Sequence, residues 1–131
     1  MTSKISILAI DLAKGSFQVC AVGPDGMVVF NRAMSRTRLA TLLADHPACI
    51  VAIEACATSH HWGRTAQSHG HEVRHVPAAY VKPFVKRQKN DRADAEAIAE
   101  AALRPTMRFV AVKSAETQGR APSIGLEPMA P

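Results

Sequence analysis

Four carboxylates occupy positions that structure alone does not ask for. Asp11 closes the apolar run Ile5-Ser-Ile-Leu-Ala-Ile10, and Glu54 closes a second, Ala48-Cys-Ile-Val-Ala-Ile53. By two-residue alternation Asp11 shares a face with Ile5, Ile7 and Ala9, where an uncompensated acid is costly. Asp91 and Asp94 open an alanine-rich stretch. At about 100° per residue, Asp94 and Ile98 lie roughly 60° and 20° from Asp91 on one helix face, whereas Glu96 and Glu100 turn away toward water. Singly, each aspartate is an ordinary helix cap and each strand-end acid an ordinary surface residue. If all four converge, their charges repel unless cations hold them. Oxygen donors without His or Cys at matching spacing favour Mg²⁺ or Mn²⁺ over zinc. Two such ions about 4 Å apart polarise a phosphodiester and stabilise its leaving oxygen. That is nuclease or strand-transfer chemistry.

A basic strip adjoins the two aspartates. Lys82, Lys86, Arg87, Lys89 and Arg92 stand in one short segment with the single acid Asp91. They account for nearly all of the excess of 16 Lys and Arg over 11 Asp and Glu. Such a strip suits a phosphate backbone, with Tyr80 and Phe84 available for stacking or packing. The plainer alternative is a solvated charge run.

The elements that must position these groups are legible in outline. Ile5 to Asp11 reads as a strand covered on both faces, and Ser16 to Val22 as the next. Gly23-Pro-Asp-Gly26 is turn chemistry, and Met27 to Arg32 returns as a third strand. Ser35 caps a helix with Leu39, Leu42 and Leu43 on one stripe, which His46-Pro47 stops. A strand from Ala48 to Glu54 follows, then a helix capped by Thr58 or Ser59, and Gly70 ends that helix. Glu72 to Val76 is a fifth strand. Pro83 interrupts the helical spacing of Tyr80, Val81, Phe84 and Val85, so Ala78 to Gln88 reads as a helical turn plus a basic loop. Asp91 to Leu103 is the clearest helix. The order βββαβαβα predicts an α/β domain with a mixed five-stranded sheet and helices packed against it. Residues 1–113 are expected to form it, and residues 114–131, with three prolines and two glycines, to be a disordered tail.

Composition narrows the class. The chain has 131 residues, 47% of them hydrophobic and 21% charged, with a net charge of +5, which fits one soluble globular domain. No apolar stretch approaches the ~20 residues of a membrane span, so a cytoplasmic protein is expected. Cys20, Cys49 and Cys56 are odd in number and widely spaced, which argues against a disulfide framework.

Three stretches carry a resemblance: Ile10-Asp-Leu-Ala-Lys14 with Phe17, Ile53-Glu-Ala-Cys56, and Tyr80-Val-Lys-Pro-Phe-Val-Lys-Arg-Gln-Lys-Asn-Asp-Arg-Ala-Asp-Ala-Glu-Ala-Ile98. Over roughly Ile5 to Lys113 the chain resembles the N-terminal domain of the DEDD insertion-sequence transposases, the IS-one-ten family. The resemblance implies a RuvC-like, ribonuclease-H-like nuclease domain acting on insertion-sequence DNA. It aligns Asp11, Glu54, Asp91 and Asp94 with the family's catalytic, Mg²⁺-binding tetrad. It further implies DNA and a guide-type noncoding RNA as partners, homo-oligomers of the full-length protein, and a C-terminal serine-bearing domain. After about Thr117 the chain departs from that pattern, as a truncated transposase would.

Other readings compete. A remnant that binds nucleic acid or full-length transposase without cutting has the same sequence features. An actin-like sugar kinase also opens on an acid-ending strand and a hairpin, but Leu12-Ala-Lys-Gly15 is poor in the Gly and Thr its phosphate turn needs. A zinc module drawn from Cys56, His60, His61, His69, His71 and His75 lacks any CxxC spacing, so these histidines are expected at the surface.

Overall fold

The computed structural model describes residues 4–12, 16–82, 91–105 and 107–116. Strand β1 (Ile7–Leu12) runs one residue past Asp11, and β2 (Phe17–Val22) returns antiparallel beside it. The Gly23 to Gly26 turn closes with a hydrogen bond from Gly26 N–H to the Gly23 carbonyl at 3.0 Å, with Gly26 at a φ of 82°. Strand β3 (Val28–Met34) then pairs antiparallel with β2, extending two residues beyond the expected Arg32. Ser35 caps helix α1 (Arg36–Asp45) by accepting from the Arg38 N–H. Strand β4 (Ile50–Glu54) joins β1 in parallel, helix α2 (Ser59–Ser68) follows, and β5 (Glu72–Val76) lies parallel to β4. After Pro77 come the short α3 (Ala78–Val81) and α4 (Asp91–Ala102). The sheet order is β3-β2-β1-β4-β5, the mixed five-stranded sheet expected, and α3 is the helical turn expected after Pro77.

The apolar strands are apolar because helices cover both faces. Ile7, Ala9, Cys20, Val22, Ala52 and Val76 pack under α4 through Ala95, Ile98, Ala99 and Ala102. On the other face Leu8, Ile10, Val19, Val51 and Ile53 meet Leu39 and Leu43 of α1 and Trp62 and Ala66 of α2. Alanines on α4 let the helix approach the sheet so closely that its flanks are covered too. Glu96 and Glu100, expected in water, are therefore half-buried. Glu96 even helps push the buried Cys20 thiol up to about 11, behind burial itself and against Arg92. Among the described residues no helix is long and apolar enough to cross a membrane. Of the three cysteines, all free, Cys20 is buried and Cys56 exposed. The basic residues Lys86, Arg87 and Lys89, Phe84, and the tail beyond residue 116 lie outside the described residues.

Candidate functional site

Parallel pairing puts the two strand-end acids next to each other. The last paired residues of β1 and β4 are Ile10 and Ile53, and the following positions are Asp11 and Glu54. Alternation points both toward the α4 face, since Ala9 and Ala52 belong to the core beneath that helix. Asp11 stands opposite Gln18 of β2, and Glu54 opposite Val76 of β5.

The helix brings a third acid. Glu54 is half-buried, and its carboxyl is raised above the ordinary range, first by burial and next by the charge of Asp94, with Lys82 acting against both. Asp94 and Lys82 thus stand within electrostatic reach of Glu54. Asp91 opens α4, but its side chain lies outside the described residues. Among the described residues no three His, Cys, Asp or Glu side chains are close enough together to hold a metal ion. The structure therefore joins Asp11 to Glu54 by register and Glu54 to Asp94 by electrostatics. The donor chemistry suits a hard divalent cation. Glu54 is half-buried and feels the charge of Asp94, and positive charge there offsets the cost of ionising it.

A polar relay holds the helix start against the sheet. Gln18, buried, donates from Nε2 to Asn31 Oδ1 at 2.8 Å, and Asn31 Nδ2 donates to the Arg92 carbonyl at 3.0 Å. The first turn of α4 is thereby tied to β3 and β2 at the level of Asp11. Lys82 and Arg92 are exposed beside this edge. They are the members of the basic strip that the described residues include.

A second polar cluster escaped sequence reasoning. His60, His71 and His75 are buried, not at the surface. Ser59, rather than Thr58, organises the start of α2: its Oγ accepts from Cys56 N–H and donates to the Cys56 carbonyl at 2.7 Å. The same Oγ meets His75 Nε2 at 2.5 Å. His60 Nδ1 accepts from Lys113 N–H at 2.9 Å. His71 accepts from Cys49 N–H on Nδ1 and donates from Nε2 to the Leu43 carbonyl at 2.7 Å. One signal was present for His75, which shares a strand face with the core-packed Val73.

With this geometry in view, the chain can be set beside known proteins. A family model for DEDD transposases, IS110, described as transposase, matches residues 8–119. A "Probable family 20 transposase" of Pseudomonas aeruginosa is 46% identical over 114 residues, covering 87% of this chain and 34% of the relative. The transposase for insertion sequence element IS1111A of Coxiella burnetii is 42% identical over 114 residues, covering 87% and 31%. The transposase for insertion sequence element IS1328 of Yersinia enterocolitica is 40% identical over 114 residues, covering 87% and 34%. The chain thus spans about a third of the length of these relatives. Among solved structures, T. thermophilus RuvC in complex with Holliday junction substrate aligns with a TM-score of 0.54 at 13% identity, covering 72% of this chain and 90% of that one. That likeness establishes the ribonuclease-H-like fold.

Proposed function

This chain belongs to the IS110 family of DEDD transposases, and from that membership we propose that it is a metal-dependent nuclease domain acting on phosphodiesters of insertion-sequence DNA. Asp11, Glu54, Asp91 and Asp94 hold Mg²⁺ or Mn²⁺ in this reading, and residues 1–113 form the working unit. Bound divalent ions supply polarisation of the phosphodiester and activation of the attacking oxygen. The protein's own part is placement. Asp11 and Glu54 come from a rigid sheet edge, Asp91 and Asp94 from a helix tied to it by Gln18 and Asn31. Lys82 and Arg92, with Lys86, Arg87 and Lys89, hold the DNA backbone. The proposal includes a guide-type noncoding RNA as a partner, homo-oligomers of the full-length protein and a cytoplasmic location. The observation that carries the reading is the Glu54 carboxyl, raised by burial and by Asp94 at the end of a parallel strand beside Asp11.

A Mn²⁺ titration of wild type against Asp91→Asn/Asp94→Asn tests the site. Affinity drops sharply in the variant if the tetrad holds metal, and equal affinity removes the metal centre. Mg²⁺-dependent nicking that Asp11→Ala abolishes then identifies the activity. The second reading is a domain that binds nucleic acid or full-length transposase without cutting, carried by the exposed Lys82 and Arg92. Salt-sensitive binding without cleavage supports it.

A further inference from the structure

The strip from Lys82 to Arg92 is not the chain's sole cationic surface. Arg32 on β3 and Arg36 and Arg38 on α1 are all exposed. Among the described residues none of these three arginines has a carboxylate partner. Their placement does not serve the helix either. Arg36 and Arg38 stand in the first turn of α1, which has no acidic residue, and cations there oppose the helix dipole.

Two of the three are held, not loose. The Arg32 guanidinium lies 4.5 Å over the Phe30 ring, and that of Arg36 lies 5.8 Å over Trp62. Stacking of this kind fixes the guanidinium plane while its edge N–H donors stay available, the arrangement that suits phosphate oxygens. Between β3 and α1 runs a cleft of about 440 Å³ lined by Phe30, Arg32, Thr37, Arg38, Thr41 and others. Guanidinium edges and threonine hydroxyls above an apolar floor are the groups that contact sugar-phosphate backbones. Asp45 closes the far end of the cleft and bounds its cationic part.

Location ties this surface to the carboxylates. Trp62 meets Phe17 edge-on at 5.2 Å, and Phe17 pairs across the sheet with Leu12, the neighbour of Asp11. Phe17 also pairs with Met34, so β3 ends where β1 ends. The arginines thus border the same sheet edge as Asp11 and Glu54, from the opposite face. A duplex laid across that edge meets Lys82 and Arg92 on one side and Arg32, Arg36 and Arg38 on the other.

We propose that Arg32, Arg36 and Arg38 form a second backbone-binding surface, on the α1 side of the sheet edge, for the DNA whose phosphodiester the carboxylates address. This rests on the DNA reading above and extends its footprint to a face that the basic strip does not reach.

The test is fluorescence anisotropy of a short labelled DNA duplex, in chelator, across roughly 50 to 200 mM salt. Three proteins are compared: wild type, Arg32→Gln/Arg36→Gln/Arg38→Gln, and Lys82→Gln/Arg92→Gln. Every cation withdrawn from a phosphate flattens the slope of log K against log salt by about 0.9. The triple variant is expected to show a slope shallower by about 2 to 3 and an affinity at least about tenfold weaker, with an unchanged melting temperature. Arg32→Gln/Arg38→Gln, which keeps Arg36 stacked on Trp62, should flatten the slope by about 2. If the triple variant binds like wild type while Lys82→Gln/Arg92→Gln weakens, the second surface is overturned and the DNA reading stands. If wild type shows no salt-dependent DNA binding, both fall. Weakened binding of an RNA duplex with unchanged binding of DNA overturns the assignment to DNA.

Discussion

Glu54 illustrates how one residue can be poised against its own charge. Its carboxyl is raised by burial and by Asp94, and lowered, less strongly, by Lys82. An acid whose folded pKa is raised binds its proton more tightly folded than unfolded. Its contribution to stability is therefore highest below the ordinary glutamate value and is lost as pH rises through the folded value. Ionising Glu54 without metal therefore works against the fold. Glu54→Gln should accordingly melt higher than wild type in chelator near neutral pH, and the difference should shrink as pH falls below the ordinary glutamate value of about 4.3. Added Mn²⁺ should raise the wild-type midpoint and leave the variant's unchanged. Melting curves at both pH values, with and without Mn²⁺, check this, and a variant that melts lower than wild type at neutral pH refutes the electrostatic account. Sequence alone flagged Glu54 because an acid ended an apolar run. It did not reveal the influence of Asp94 and Lys82, which come from parts of the chain that only the folded sheet brings near.

At the scale of elements, the start of α4 decides whether helix acids and strand acids face each other. Alternation and helical spacing were enough to place Asp11, Glu54 and the beginning of α4, because strand and helix periods are local properties. The tether was not legible: Asn31 lies in a strand and Arg92 in a helix, and their 3.0 Å hydrogen bond depends on sheet order. Nor was the half-burial of Glu96, which follows from how closely an alanine face lets a helix settle. Removing the tether should loosen the helix start without unfolding the domain. Asn31→Ala is expected to cost about 1 kcal/mol, the net worth of one such bond. It should weaken Mn²⁺ binding by several-fold, and Asn31→Asp, which keeps an acceptor for Gln18 but cannot donate to the Arg92 carbonyl, should not restore it. Urea unfolding and Mn²⁺ titration measure the two effects separately. A loss of stability with unchanged metal affinity shows that the relay supports the sheet and not the site.

Over the whole molecule, residues 107–113 close the fold by running back across α2 and the outer edge of β5. Val110 N–H donates to the His75 carbonyl at 2.7 Å, Lys113 N–H donates to His60, and Arg64 Nη1 donates to the Lys113 carbonyl at 2.8 Å. Capping the edge strand in this way hides backbone groups that would otherwise pair with another chain. Two histidines anchor the segment, which makes the closure sensitive to acid. His75 is lowered below the ordinary histidine value, mainly by burial and then by His60, whose ring is 4.6 Å away, while the backbone of Val110 and Ala111 favours the charged form more weakly. Its Nδ1 has no hydrogen-bond partner among the described residues, and Ser59 Oγ, which donates to Cys56, is left to accept from Nε2–H, so the neutral ring is the one the fold accommodates. A base whose folded pKa is lowered contributes stability that is complete above its unfolded value of about 6.5 and is lost as pH falls below it. The midpoint of thermal unfolding should therefore fall on acidification through that window. His75→Gln keeps a group able to bond Ser59 but does not titrate. It should start from a lower midpoint at neutral pH and show a flatter decline. Proteolysis followed by mass measurement should show wild type cut earlier within residues 107–116 at the acidic end of the window, and an unchanged pH profile in His75→Gln would assign the acid sensitivity to another group.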